Sequence, residues 1–300
     1  MKVFVTGASG HVGSALVPEL LRAGHQVVGL ARSDTSAAKL EAQGATVQRG
    51  DLDDLDGLRK GAAEADAVIH LAFKHEEMFA GNFQGAADAD IAVVRAFVDE
   101  LSGTGKALIG TGGTLSYSGL VRTATEDEVV ADDGSRGTAR NLIINAAKEN
   151  VRGSVVVLPP TVHSALDTGG FIPVLIRTAR AKGMSGYPGD GANRWSAVHT
   201  LDAARLYRLA LEAPAGSVLH AVDEEAVTMK EIAEAIGRQL GVPAVSIPEE
   251  KAQEHYGPFV LMVTRDAPTS STKTRELLGW DTKEPGLLAD LEAGFYFEQS

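Results

Sequence analysis

"TGASGHVG", residues 6–13, directly follows the short apolar run "KVFV" at residues 2–5. After it, Val12, Leu16, Leu20 and Leu21 recur on one face at helical period. The stretch therefore reads as strand, tight turn, helix. A glycine-rich turn that opens a helix leaves unpaired backbone N–H groups at the positive end of the helix dipole, and an anion belongs there.

Each glycine then has a distinct task. Gly7 permits the sharp turn, Gly10 lets a diphosphate approach the backbone, and Gly13 lets the helix pack closely on the strand. Ser9, His11 and Val12 complete the cradle. The alternative is an ordinary glycine-rich turn, against which the strand before and the helix after both argue. A dinucleotide is the expected ligand. In such a fold the end of the second strand meets the adenosine ribose, and an acidic residue there selects a free 2′-hydroxyl. Here that place reads "GLARSD", with Arg32 and Ser33 ahead of Asp34. A cation and a hydroxyl suit a 2′-phosphate, so NADP(H) is expected ahead of NAD(H). The competing reading leaves Arg32 solvated and gives Ser33 or Asp34 to the cap of the next helix. In "GDLDD", Asp51 can accept from the adenine amino group and Leu52 can pack on its ring, while Asp53 and Asp54 read as helix caps. In "HLAF", Leu71, Ala72 and Phe73 fall at the height of the cofactor. His70 within the apolar strand reads as a core histidine, and His75 beyond it is freer to reach a substrate.

No stretch approaches the roughly 20 apolar residues of a membrane span. The opening strand is not preceded by a signal segment, and the chain has no cysteine, so a cytoplasmic setting is expected. Absence of cysteine removes thiolate chemistry, and the eight histidines show no zinc-binding spacing, so no metal is expected. A net charge of −12 without a basic run disfavours nucleic acid. A small molecule is the expected partner, and the chain is expected to be a monomer or homodimer.

Strand and helix patterns alternate onward: "HQVVGLAR", a helix over 36–43, "ATVQRG", a helix over 55–63, "DAVIHLAF", and a long helix over 83–101. "KALIGTGG" and "GSVVVLPP" follow as strands around a helix near 139–150. Repeated strand–helix units imply right-handed crossovers and a parallel sheet covered on both faces. The fold class is α/β: a Rossmann-type doubly wound parallel sheet with a smaller mixed α/β C-terminal substrate lid. Residues 1–165 read as the nucleotide-binding domain, with 197–225 returning to it. Residues 166–196 and 226–300 read as the lid, built from helices at 170–183, 229–240 and 287–295, a strand at "AVSIP" and a loop-rich linker. "SGYPGDGANR" reads as a loop, and "TLDAARLYRLALE" as a helix that His199 and Asp202 orient and cap.

With "TGASGHVG", "GDLDD", "HLAF", "GTGGT", "LPPTVHS" and "RWSAVHTLDAARLYRLALE" in place, the chain resembles the extended and atypical short-chain dehydrogenase/reductase superfamily, in its epimerase/dehydratase-like branch. The resemblance implies NAD(P) lying across the sheet, nicotinamide near Pro160, Thr161 and Val162, and substrate beneath the lid. It also implies a Ser or Thr after the fifth strand and a Tyr-x-x-x-Lys on the next helix. Thr111 or Thr114 can supply the hydroxyl. The tyrosine slot, however, holds Arg136 and the lysine slot Arg140. Arg140 keeps a charge able to bind ribose hydroxyls, whereas an arginine in the tyrosine slot stays protonated and relays no proton. Tyr117, His75, His163 or ordered water must then supply the acid.

Tyr187, Asn193, Arg194 and Trp195 combine planar, polar and aromatic groups as a substrate pocket wall would, although Trp195 can equally anchor the lid. The leading expectation is an NADPH-dependent reductase of a carbonyl, imine or activated double bond, because hydride delivery needs positioning above all. A sugar-nucleotide epimerase or dehydratase needs a base that the chain lacks in the usual slot. A non-catalytic NADP-sensing regulator needs no proton donor.

Overall fold

The computed structural model describes residues 1–298. Its first half alternates strands and helices: β1 (Lys2–Thr6), α1 (His11–Arg22), β2 (Gln26–Ala31), α2 (Asp34–Ala42), β3 (Thr46–Arg49), α3 (Leu55–Ala63) and β4 (Ala67–His70). There follow α4 (His75–Phe79), α5 (Phe83–Leu101), β5 (Ala107–Gly113), α6 (Arg136–Asn145) and β6 (Arg152–Leu158). The second half holds β7 (Thr161–His163), α7 (Phe171–Lys182), β8 (Ser185–Pro188), β9 (Arg194–His199), α8 (Thr200–Ala210), β10 (Ser217–His220) and β11 (Glu224–Thr228). It closes with α9 (Met229–Leu240), β12 (Ala244–Ile247), α10 (Glu249–Tyr256), α11 (Val260–Val263), α12 (Thr272–Leu278) and α13 (Leu287–Glu292).

Seven strands form one sheet in the order β10-β6-β5-β4-β1-β2-β3, every neighbouring pair parallel. Strands buried on both faces need apolar residues at successive positions, and β1 supplies them. Val3 and Val5 point into a core shared with α1 and α8 through Leu16, Leu20 and Leu206. Phe4, between them, points into the opposite core with Leu58, Val94, Phe97 and Ile143. Removing a buried ring such as Phe97 would cost about 3 to 5 kcal/mol. From β1 the chain runs outward through β2 to β3 and then crosses back to β4 on the other side of β1. That reversal opens a crevice above the carboxyl ends of β1 and β4, the place where such sheets take ligands.

A third core, centred on Trp195, Ile232, Ile236 and Leu287, fills the remaining part, between a three-stranded sheet β11-β9-β7 and the pair β12-β8. Strand β10 then joins the edge of the large sheet, Ser217 opposite Ser154. Several local expectations are corrected. Helix α6 starts at Arg136, ahead of 139, because the Ser135 hydroxyl caps it by accepting from Gly137 N–H. The stretch expected as a loop-rich linker contains α10, α11 and α12, and "SGYP" is strand β8. Strands β9 and β11 lack the alternation that marks a half-solvated strand, since β9 is buried at four successive positions. Among the described residues no helix is long and apolar enough to cross a membrane.

Candidate active site

The glycine turn closes the crevice between β1 and β4. Gly7 has φ +68°, and a Cβ there would lie 2.7 Å from Ala72 N. Ala72 is fixed in turn by its N–H, which donates to Thr6 Oγ1 at 3.3 Å. A Cβ on Gly13 would lie 2.6 Å from the Ala8 carbonyl carbon, so helix and turn are in direct contact there. Gly10 is different: it is exposed, and only Gly7 O, at 3.2 Å, lies within 4 Å of a Cβ on it. Helix α1 starts there without a side-chain cap and without an acidic residue in its first turn. Free N–H groups, the dipole and open space beside Gly10 fit a diphosphate. Ser9 and Val12 are part-exposed on the same turn. His11 is turned toward the second half of the chain, with Nε2 2.8 Å from Thr200 Oγ1 and Nδ1 3.9 Å from Asp167 Oδ1.

At the adenosine end, Arg32 projects from β2 and pairs with Glu76 of α4 at 2.8 Å, both side chains exposed. Ser33 caps α2 by accepting from Ser36 N–H, and Asp34 pairs with Arg49. Asp51 shapes its own turn: Oδ1 accepts from Asp53 N–H and Asp54 N–H. Asp54 caps α3, whereas Asp53 binds Lys74 with both oxygens. Leu52 packs on the core beneath.

At the other end of the crevice stand the part-exposed Leu71, Ala72 and Phe73. Thr111 Oγ1 donates to His70 O and lies 2.8 Å from Tyr207 Oη. Thr114 is fully buried, 3.4 Å from Ser196 Oγ, and Thr161 donates to Ser196 O. Pro160 and Val162 are part-exposed beside it. Arg136 Nη2 donates to Thr111 O at 3.3 Å, and its guanidinium lies 4.1 Å over the Phe73 ring. His75 meets the same ring edge-on at 5.1 Å. Packing around its ring and the Arg136 charge hold its pKa below the usual histidine range.

Five sequence-based assignments are redirected by these contacts. Tyr117 is buried with its Oη 3.0 Å from His220 Nε2; burial pushes the phenol up to about 12 against the opposing pull of Arg140, the reverse of what a proton donor needs. Arg140 is buried beside it, 5.6 Å from its ring, donating to Glu128 O. It faces this phenol rather than a ribose. His163 is fully buried, with Nδ1 2.7 Å from Asp290 Oδ2. Tyr187, Asn193, Arg194 and Trp195 serve the lid itself. Tyr187 packs on its core, Asn193 donates to Val263 O and Arg265 O, Arg194 forks onto Asp266, and Trp195 is fully buried between Phe171 and Phe259. Asp202 does not cap α8; His199 does, and Asp202 accepts from Lys283 N–H and Glu284 N–H.

Asp90 was not singled out by sequence. It is buried, with Oδ1 3.1 Å from His70 Nε2. A signal existed: Ala86, Ala87, Asp90, Val93, Val94 and Phe97 form the buried stripe of α5, and an acid on such a stripe needs a partner. A groove of about 710 Å³ between Lys2, Gln26, Thr46 and Lys60 lies at the opposite, amino-terminal ends of the strands, away from this chemistry.

Residues 3–116 match the model of the NAD dependent epimerase/dehydratase family. An uncharacterized protein of Schizosaccharomyces pombe is 45% identical over 299 residues, covering 99% of this chain and all of that one. A 2-alkyl-3-oxoalkanoate reductase of Stenotrophomonas maltophilia is 28% identical over 82% of this chain and 77% of its own. In fold, the UDP-glucuronic acid 4-epimerase of Bacillus cereus, solved with UDP-glucuronic acid and NAD, superimposes with a TM-score of 0.78 at 19% identity, covering 100% and 99% of the two chains. The chain belongs to the NAD dependent epimerase/dehydratase family, and is an NAD(P)-dependent oxidoreductase of the short-chain dehydrogenase/reductase type.

Proposed function

We propose that the chain is an NADPH-dependent reductase that delivers hydride to a carbonyl, imine or activated double bond of a small molecule. The observation that carries this reading is the company Thr111 keeps: Arg136 stands on its carbonyl, and the phenol at its hydroxyl, Tyr207, is fully buried with its pKa pushed up by burial, so it relays no proton to the crevice. Oxidation of an alcohol begins by removing a proton, and a guanidinium cannot accept one. Reduction asks less, because hydride delivery depends chiefly on holding donor and acceptor in near-attack geometry. NADP(H), when bound, supplies the hydride from nicotinamide C4.

The chain's own residues do the rest. The turn around Gly10 takes the diphosphate by main-chain N–H groups, and Pro160 to Val162 flank the nicotinamide. Thr111 Oγ1 is committed to His70 O and Tyr207, so polarising the acceptor falls to Arg136, the cation beside the crevice. The alkoxide takes its proton from water. The 2′-phosphate is assigned to Arg32. Its pairing with Glu76 joins two exposed side chains, and such pairs contribute little, so a phosphate can take the guanidinium over. The 2-alkyl-3-oxoalkanoate reductase relative supports reduction as the direction.

The test is a fluorescence titration with NADPH and NADH, then NADPH oxidation with a panel of ketones, imines and enones. Turnover of at least one panel class with NADPH is expected. Interconversion of UDP-glucose and UDP-galactose without added NADPH would replace the reading by an epimerase, and NADPH binding without any turnover would replace it by a sensor.

A further inference from the structure

Arg136 lies in the first turn of α6 with more hydrogen-bonding capacity than its neighbours use. Nη2 donates to Thr111 O. Nε is buried without a partner among the described residues, 3.8 Å from Asp90 Oδ2 and so beyond hydrogen-bond reach. Asp90 is itself committed to His70 at 3.1 Å. A guanidinium carries five N–H groups in a rigid fork, and here one is spent on the protein. The face of the fork rests on Phe73, which shields it from water and fixes its plane. A third of the side chain stays exposed, at the carboxyl ends of β4 and β5 where the acceptor would lie.

A stacked, part-desolvated guanidinium with unused coplanar donors is suited to a carboxylate, which it can grip with two parallel bonds. We infer that the substrate is an oxo acid, and that Arg136 holds its carboxylate so that the carbonyl is presented to the nicotinamide. This inference rests on the reductase reading above. In the step, the carbonyl carbon accepts hydride with its electron pair from NADPH, leaving NADP⁺; the carbonyl oxygen becomes an alkoxide and takes a proton from water. The carboxylate is unchanged. The same charge that orients the acid also steadies the negative oxygen as it forms.

The experiment compares 3-oxooctanoate with its methyl ester, in the native chain and in Arg136→Gln and Arg136→Lys. The native chain should prefer the acid over the ester by roughly 30-fold or more in kcat/KM, as a charge-assisted bond implies. Arg136→Gln should lose that preference: kcat falls for both compounds, since the guanidinium polarises either carbonyl, and KM rises for the acid alone. Arg136→Lys should recover part of it, and NADPH affinity should be the same in all three. Equal rates on acid and ester, or equal losses on both, would overturn the inference. Should NADPH bind and neither compound be reduced, the ketone, imine and enone panel decides the reductase reading and calorimetry decides this assignment separately. Binding of 3-hydroxyoctanoate to the native NADP⁺ complex but not to Arg136→Gln supports it, whereas equal binding or none overturns it.

Discussion

Asp90 Oδ1 lies 3.1 Å from His70 Nε2, inside the layer between α5 and the sheet. Burial works to raise the Asp90 pKa, but the His70 hydrogen bond and the Arg136 charge prevail, and the net shift is downward. A carboxylate has no proton to give, so Nε2 carries the hydrogen, and Nδ1 is hydrogen-bonded to Thr6 Oγ1 at 2.6 Å. The Thr6 oxygen then receives Ala72 N–H, the group against which Gly7 is packed. One buried acid on α5 thus holds the two turns that frame the crevice.

Replacing Asp90 with Asn keeps the volume and removes the charge that His70 and Arg136 face. A loss of about 2 to 4 kcal/mol is expected, the range for breaking a buried charged pair. Urea denaturation at neutral pH measures it. Because the folded-state pKa is depressed, this stabilisation is present above about pH 4, the ordinary aspartate value, and fades as pH falls through the lower folded value. A variant as stable as the native chain at pH 7 would show that the pair contributes nothing.

The glycines of the opening turn should separate folding from binding. A side chain on Gly10 meets only Gly7 O at 3.2 Å, so Gly10→Val should leave the melting temperature nearly unchanged while abolishing affinity for NADPH and NADH alike. A side chain on Gly13 would collide with the Ala8 backbone, so Gly13→Ala should cost about 1 to 3 kcal/mol of stability, as overpacking does. Circular-dichroism melts with and without NADPH distinguish the two. Retained binding in Gly10→Val would remove the diphosphate from this turn.

That turn was legible because its information is local: a four-residue apolar strand, three glycines and a helical period all lie within the first 21 residues. The doubly wound sheet follows from the same local patterns repeated. What could not be read is which way a side chain points once the strand ends. Tyr117 follows β5 in a tight 3-10 turn, Thr114–Tyr117, and its partner His220 is 103 positions away. Arg194 is held by Asp266, 72 positions on. Polar residues in a turn-rich stretch look like a pocket wall when the segment that satisfies them is distant in sequence. Asp90 and Asp290 were readable in principle, each sitting on the buried stripe of its own helix. A single acid there has no local signature beyond the burial it violates.

Where α1 meets the segment after β7, two groups titrate in opposite senses. Burial pushes the Asp167 carboxyl up to about 6, against hydrogen bonds from Gly170 N–H and Tyr296. Burial, helped by the His163 and His199 charges, pulls His11 down to about 4. A raised carboxyl pKa favours the folded state as pH falls below 6, and a lowered histidine pKa disfavours it as pH falls below about 6.5. Between about pH 4 and 6 the two slopes oppose each other. Asp167→Asn removes the first, so its stability should drop by about 2 to 3 kcal/mol from pH 7 to pH 4 relative to the native chain. His11→Asn should do the reverse. Urea midpoints across that range test both, and a native-like profile in Asp167→Asn would refute the compensation.

Arg32 and Glu76 give the sharpest view of coenzyme choice, because the same guanidinium is offered two anions. Glu76 holds it now at 2.8 Å, with both side chains open to solvent, and a 2′-phosphate would have to displace that carboxylate. Arg32→Ala should therefore weaken NADPH by roughly 10-fold or more, the size of a charge-assisted contact, while NADH changes less than about 3-fold. Glu76→Gln should act in the opposite sense. With no carboxylate to displace, NADPH should tighten by roughly 2- to 5-fold, the modest amount an exposed pair can withhold, and NADH should be unaffected. Fluorescence titrations at low and high salt measure both, and the NADPH gain should shrink as salt screens the competing charge. Were both variants to move NADPH and NADH equally, Arg32 would be no phosphate ligand, and the pair would be no more than a clasp between β2 and α4.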